Sequence, residues 1–471
     1  MSREFTEKHK KELETKIAKA RKALEEVRSY DQERVDRLSQ KVGWAIANKK
    51  TFGKLSREGV EESGLGDKEG RVGKRFKVKG ILRDTLRQKS VGKIEEDIEK
   101  GITKYAKPAG LIASVIPTTN PVLTPAGTAV YAVNARDAVI FSPHPRSKNT
   151  AKKAVDIMRK ALEEEGAPAD LLQCIENVSI PMTQKLMAEA DLVMATGGSS
   201  LVEAAYSSGT PAYGVGTGNS TMVIDETADI KEAAHNTMRS KTSDFGSGCS
   251  ADGNLVIQED IYDEMIEQLV KEGGYLVEDE EESEALRKIL WDDEGHRLGG
   301  GTVAVPPQTL AEKAGFSIPE DRKFIIVEGT TPEEEEYFSR EKLTTLLTTY
   351  KYSDFSEAEK MVRDIFNRMG KGHSCGIYSF NEDHIDRHAK NAPVSRIMVR
   401  QPNSKANAGS FTNGMPMTSS LGCGTWGGNI TNENINLKHY LNITWVAKPI
   451  VKDKPSDEVL FGEFYDPSLE E

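Results

Sequence analysis

At 471 residues the chain is longer than the roughly 250–300 at which one hydrophobic core stops growing, and its 37% hydrophobic and 29% charged residues describe a globular protein of two or more domains. A formal net charge of −11 argues against a nucleic-acid partner. No apolar run reaches the roughly 18–20 residues of a membrane span and "MSREFTEKHKKELETK" has no signal-peptide core, so a cytoplasmic protein is expected.

In residues 1 to 50, Leu13, Ile17, Ala20 and Leu24 recur at helical spacing and predict an amphipathic helix docked by that face. From Leu111 short apolar strands alternate with helices. "DAVIFSPHP" gives a buried run over 138–141, followed by a helix with Ala154, Val155, Met158, Ala161 and Leu162 on one face, ended by Gly166 and Pro168. "ADLVMATGG" predicts another strand and "PAYGVGTGNSTMVID" two more, an order that reads as a doubly wound parallel sheet with ligands at the carboxyl ends of its strands. A second α/β block follows, with strands in "NLVIQ" and "KFIIVEG" and helices in "EDIYDEMIEQLVKEGG" and "SEAEKMVRDIFNRMG". The closing "HYLNITWVAKPI" predicts a strand of alternating burial that needs a partner sheet, and so an oligomer arm.

Four cysteines (Cys174, Cys249, Cys375, Cys423) form no C-x-x-C pair, and no cluster of His, Cys and carboxylates implies a metal. In "KTSDFGSGCSADGNLVI" small neighbours leave space around Cys249 where the two blocks meet, and "GKGHSCGIYS" supplies His373 in a glycine-rich turn. Thiol attack and proton shuttling need such a pair. Cys375 is a rival nucleophile, but it shares a strand face with Ile377 and reads better as core. "ATGGSS" and "GVGTGN" let backbone approach a pyrophosphate, although neither is a G-x-G-x-x-G fingerprint and both fit ordinary tight turns. In "SPHPRSK", His144, Arg146 and Lys148 follow a strand where cofactor phosphates or ribose hydroxyls lie, unless the segment is only a surface loop. Asn120 in "VIPTTNP" is either an oxyanion donor or a turn residue.

Taken together, "VIPTTNP", "FSPHPRSK", "ATGGSSLVEAAYSSGTPAYGVGTGN", "VIDETADI", "EKLTTLLTTY", "GHSCGIYS" and "SLGCGTWGGN" resemble, in order over about 105–450, the CoA-acylating branch of the aldehyde dehydrogenase superfamily. The resemblance implies an α/β fold with a Rossmann-type cofactor domain and N-terminal helices over 1–240, a catalytic domain over 241–436, and a terminal strand and tail over 437–471 that form a β oligomerisation arm with residues near 90–110. It implies a nucleophile at Cys249, acid/base work at His373 and oxyanion donation by Asn120 and the Cys249 amide. The implied cofactor is NAD or NADP, held by Thr118, Ser142, His144 and Arg146, by Thr196, Gly197 and Gly198, and by Gly214, Gly216 and Glu341. Coenzyme A is the implied acyl acceptor, because Gly214 stands where hydrolytic members carry the water-activating glutamate.

Small polar neighbours of Cys249 point to a polar aldehyde, and Arg400, Lys405, Asn407, Ser410 and Thr412 offer donors for an anionic group. Within the branch the chain looks most like members that convert sulfoacetaldehyde to sulfoacetyl-CoA, with CoA-dependent oxidation of succinate semialdehyde or acetaldehyde as alternatives and a non-catalytic scaffold as the remote one. A homodimer or homotetramer is expected.

Overall fold

The computed structural model describes residues 4–292, 298–332 and 337–470. A five-stranded sheet, all parallel, runs in the order Leu172–Cys174, Ala138–Pro143, Leu111–Ile116, Leu192–Thr196, Ala212–Val215. Every residue of Leu111–Ile116 and Ala138–Pro143 is buried. Helices cover both faces of a parallel sheet, so its strands read as unbroken apolar runs rather than as alternation.

The N-terminal segment is not one helix. Glu7–Val27, Gln32–Ala47 and Lys49–Ser63 are separate, cut where the Asp31 and Asn48 side chains accept from the amides of Arg34 and Thr51 and so start new helices. Leu13 and Ala20 are buried as expected, and Ile17 and Leu24 pack against the same core.

A seven-stranded parallel sheet runs Gly274–Leu276, Phe324–Glu328, Leu346–Tyr352, Asn254–Gln258, Thr221–Ile224, Cys375–Tyr378, Ile397–Val399. Thr221–Ile224, expected in the first sheet, lies inside this one, where two parallel neighbours satisfy its backbone. The crossing between sheets therefore falls at residues 216–220, ahead of residue 240. A Cβ at Gly218 would lie 1.9 Å from the Cys249 carbonyl oxygen, so only glycine lets the crossing chain pass that close.

The third sheet is antiparallel, Gly92–Asp97, Ile102–Pro108, Leu441–Ala447. The last strand finds its partner within the chain, and the alternating burial expected of it holds only over 441–444, half-buried against exposed: Trp445 is 61% exposed and the strand carries no fully buried residue. Among the described residues no helix is long and apolar enough to cross a membrane.

Candidate active site

The strands of the first sheet end in loops that face the second sheet. Leu111–Ile116 runs into Pro117–Asn120, Leu192–Thr196 into Gly197 and Gly198, and Ala212–Val215 into Gly216 and Thr217. With the loop 247–250 these ends line a cavity of about 740 Å³. A second cavity of about 660 Å³ shares Gly216 and Thr217 and extends past Gly370, Lys371 and Trp426. Both lie within the size range of small-molecule and cofactor sites.

Cys249 is partly exposed on the larger cavity, and His373, fully buried behind it, points Nε2 at its Sγ across 3.0 Å. His373 Nδ1 lies 2.9 Å from Ser374 Oγ, which accepts from Asn403 Nδ2 at 3.2 Å and Asn407 Nδ2 at 3.0 Å. Arg396 donates to the His373 carbonyl at 3.0 Å and fixes the turn. Burial pushes the Cys249 thiol up to about 12, with Glu341 adding to the rise, and burial followed by Arg396 pulls His373 down to about 3. The resting pair is thus a neutral thiol beside a neutral imidazole.

The turn ahead of the cysteine is strained: Asp244 and Phe245 have φ of 52° and 51°, and Gly246 follows at 68°. Asp244 is buried and anchors it. Its carboxylate accepts from Arg71 Nε at 3.1 Å, Lys74 Nζ at 2.7 Å and Ser247 Oγ at 2.8 Å. Burial alone would raise the Asp244 carboxyl, but Lys74 and Arg71 hold it below the usual range. Lys74 also donates to Asn120 Oδ1 at 2.8 Å. With its oxygen so engaged, the Asn120 amide turns its NH₂ away from Lys74, free to donate.

The cofactor side fits a dinucleotide. Thr118, Thr196, Gly197, Gly198, Gly216 and Glu341 line the cavity, and a Cβ on Gly198 would meet nothing within 4 Å, so backbone there is open to a ligand. The Glu341 carboxylate accepts from the Gly218 amide at 3.1 Å, and burial pushes it up to about 8.

Lys405, Asn407, Ser410 and Thr412 line the same cavity. Besides His373, which lies behind Cys249, the expected residues Ser142, His144, Arg146, Lys148, Gly214 and Arg400 do not line either cavity. Gly214 is packed, its amide donating to Tyr206 Oη at 3.2 Å, and a Cβ there would come within 2.8 Å of Val202. Ser142 shares a hydrogen bond with Thr183 at 2.7 Å. Arg146 donates to the Ser63 carbonyl at the end of Lys49–Ser63, where a cation meets the negative end of the helix dipole, and its amide donates to His144 Nδ1. Arg400 caps the Ser379 carbonyl at 2.7 Å and stacks on Phe380, so it is a structural residue rather than part of the pocket. Sequence reading missed Arg71, Lys74, Lys77, Asp244 and Arg239. The signal was present in "GRVGKRFKVKG", a basic run in an acidic chain that places Lys74 and Lys77 three residues apart.

The model of the aldehyde dehydrogenase family matches residues 2–284. The chain is 43% identical to the sulfoacetaldehyde dehydrogenase of Acholeplasma sp over 95% of this chain and 93% of that one. It is 36% identical to the succinate-semialdehyde dehydrogenase (acetylating) of Clostridium kluyveri over 95% and 98%. The solved acetylating aldehyde dehydrogenase of Geobacillus thermoglucosidasius superposes with a TM-score of 0.91 at 34% identity, covering 97% of this chain and all of that one. With a thiol and an imidazole meeting between the carboxyl ends of the first sheet and the amino ends of the second, the chain belongs to the aldehyde dehydrogenase family, in its acylating branch.

Proposed function

We propose that the protein oxidises a small anionic aldehyde to its CoA thioester, with sulfoacetaldehyde as substrate and sulfoacetyl-CoA as product. The observation that carries this is the 3.0 Å contact of Cys249 Sγ with His373 Nε2 on a cavity that also receives the Asn120 amide. Cys249 attacks the aldehyde carbon as its proton passes to His373 Nε2; in the tautomer that leaves Nε2 open, Nδ1–H donates to Ser374. Since both groups rest neutral, transfer and attack are coupled and no buried ion pair need form beforehand. The oxygen of the resulting thiohemiacetal receives donation from Asn120 Nδ2 and the Cys249 amide. A nicotinamide dinucleotide along Thr196, Gly197, Gly198 and Glu341 supplies the hydride acceptor, and coenzyme A the thiol that takes the acyl group from Cys249. Once His373 has released the first proton to solvent, it serves as base for the incoming thiol and returns that proton to the departing Cys249 sulfur.

At Gly214 the packing of Val202 and Tyr206 leaves no room for a water-activating carboxylate, which favours a thiol acceptor over hydrolysis. The exposed strand Leu441–Ala447 supports a homodimer or homotetramer, and the absence of a spanning helix among the described residues accords with a cytoplasmic enzyme. The likeness to the Clostridium kluyveri protein supports succinate semialdehyde as a second reading.

The test is NAD(P)H formation from sulfoacetaldehyde and from succinate semialdehyde, each with and without CoA. CoA-dependent turnover preferring sulfoacetaldehyde is expected. Preference for succinate semialdehyde replaces the substrate and keeps the mechanism; equal rates without CoA overturn the acyl-acceptor reading.

A further inference from the structure

With Arg400 turned away, other cations take its place. Lys77 lies in the helix Arg75–Leu86, one turn past Lys74; Arg239 lies near the end of Ile230–Lys241; Lys405 lies in Asn403–Ala406. All of them line the 740 Å³ cavity. Their elements are tied together: Ser404 donates from its amide to Ser240 Oγ at 3.1 Å and from its hydroxyl to the Ser240 carbonyl at 3.1 Å. Lys77 Nζ donates to the carbonyls of Gly409 at 2.7 Å and Ala408 at 3.2 Å, and Lys405 Nζ to Ser243 Oγ.

The charges do not balance. Asp244 is shared by Arg71 and Lys74. Glu341 is the only acid on the cavity wall among the described residues, and burial disfavours its charged form, pushing it up to about 8. Lys77, Arg239 and Lys405 have no carboxylate partner among the described residues. Burial and then the charge of Lys405 pull Lys77 down to about 8, and burial followed by Lys74 and Arg239 pulls Lys405 down to about 8. An ammonium has three N–H donors and a guanidinium five, so donors remain after the contacts above are made. Lys74, which feels the Cys249 sulfur, also acts on Lys405 and holds Asn120, so the cluster adjoins the reacting end of the cavity.

We propose that Lys77, Arg239 and Lys405 form a subsite for the anionic end of the aldehyde, three cations from three elements matching the three oxygens of a sulfonate. The inference rests on reading the cavity as an aldehyde site. It assigns substrate choice to residues outside the run 400–412, apart from Lys405.

The test compares wild type with Lys77→Met, Arg239→Met and Lys405→Met, and with Lys405→Arg as the charge-keeping control. Sulfoacetaldehyde and acetaldehyde are the substrates, and ethanesulfonate is an inhibitor of acetaldehyde turnover. The ratio of kcat/KM for sulfoacetaldehyde over acetaldehyde is expected to fall roughly 10- to 100-fold with each removed charge and to be largely restored in Lys405→Arg. The inhibition constant of ethanesulfonate rises in parallel. An equal fall for both aldehydes overturns the proposal, as does a change confined to KM for CoA or NAD(P)⁺, which would assign the cations to a cofactor phosphate. If wild type does not oxidise sulfoacetaldehyde, the substrate reading fails on its own. Ethanesulfonate inhibition that the Met variants weaken then still supports an anion subsite, and inhibition absent or unchanged removes it.

Discussion

Among the described residues two thiol–imidazole pairs have nearly the same geometry. Cys249 Sγ stands 3.0 Å from His373 Nε2, and Cys375 Sγ stands 3.3 Å from His388 Nε2. Burial raises both thiols and lowers both imidazoles, His373 to about 3 and His388 to about 4. Neither contact distance nor the direction of these shifts separates a nucleophile from a core residue. What differs is access: Cys249 opens on the cavity beside the Asn120 amide, whereas Cys375 and His388 are sealed between strand and helix in the second core. A buried thiol becomes a reagent only where a carbonyl can reach it and its oxyanion has a donor.

The comparison breaks most sharply on substitution of the cysteines. Cys249→Ala is expected to lower turnover by roughly 10³-fold or more, since Cys249 is the thiol that shares the larger cavity with Asn120, and steady-state NADH formation checks it. His373→Ala is expected to lower kcat by about 10²–10⁴-fold. Asn120→Ala, which removes one oxyanion donor and leaves the Cys249 amide, should lower kcat by about 10²–10³-fold. Unchanged turnover in any of these would remove that residue from the mechanism.

The pH dependence of alkylation sharpens the same contrast. A thiol raised to about 12 holds less thiolate at neutral pH than an ordinary one, and that fraction grows about tenfold per pH unit until the pKa is reached. Iodoacetamide labelling of Cys249 should therefore climb without a plateau from about pH 7 to 10. A plateau below about pH 9 would mean that Cys249 and His373 rest as an ion pair. Cys375 should label only on unfolding.

Several parallel strands of both blocks were legible because a strand buried on both faces is an unbroken apolar run, as in "ASVI" and "NLVI", whereas Leu172–Cys174, Gly274–Leu276, Leu346–Tyr352 and Ile397–Val399 were not read. Thr221–Ile224 was not assigned to its sheet, because its apolar run is the same whichever neighbours it has. Cys249, singled out by its glycines, and Asn120, by its place after a strand, both line the larger cavity, and His373, singled out by its turn, lies against Cys249. Lys74 was not, because its meaning comes from an ion pair with Asp244, 170 residues along the chain. Arg400 and Arg146 show the reverse error. A basic residue near a site is as well suited to a carbonyl at an element end as to a substrate anion, and only the fold decides which it meets.

The smallest effect lies on the sealed pair. Cys375 is fully buried on Cys375–Tyr378, with Val223, Val362 and Ile377 in the same core. Removing its sulfur in Cys375→Ala leaves a void about one atom wide and takes from His388 Nε2 its only thiol contact, so a loss of roughly 1–2 kcal/mol is expected, read as a lower denaturant midpoint. Turnover at 25 °C should stay within about twofold, since among the described residues that core does not line the larger cavity and meets the second one only through Phe366. A large fall in kcat at unchanged stability would mean that the strand carrying Cys375 transmits its packing two residues back to His373, and the two pairs would then be one coupled unit rather than a reagent and its look-alike.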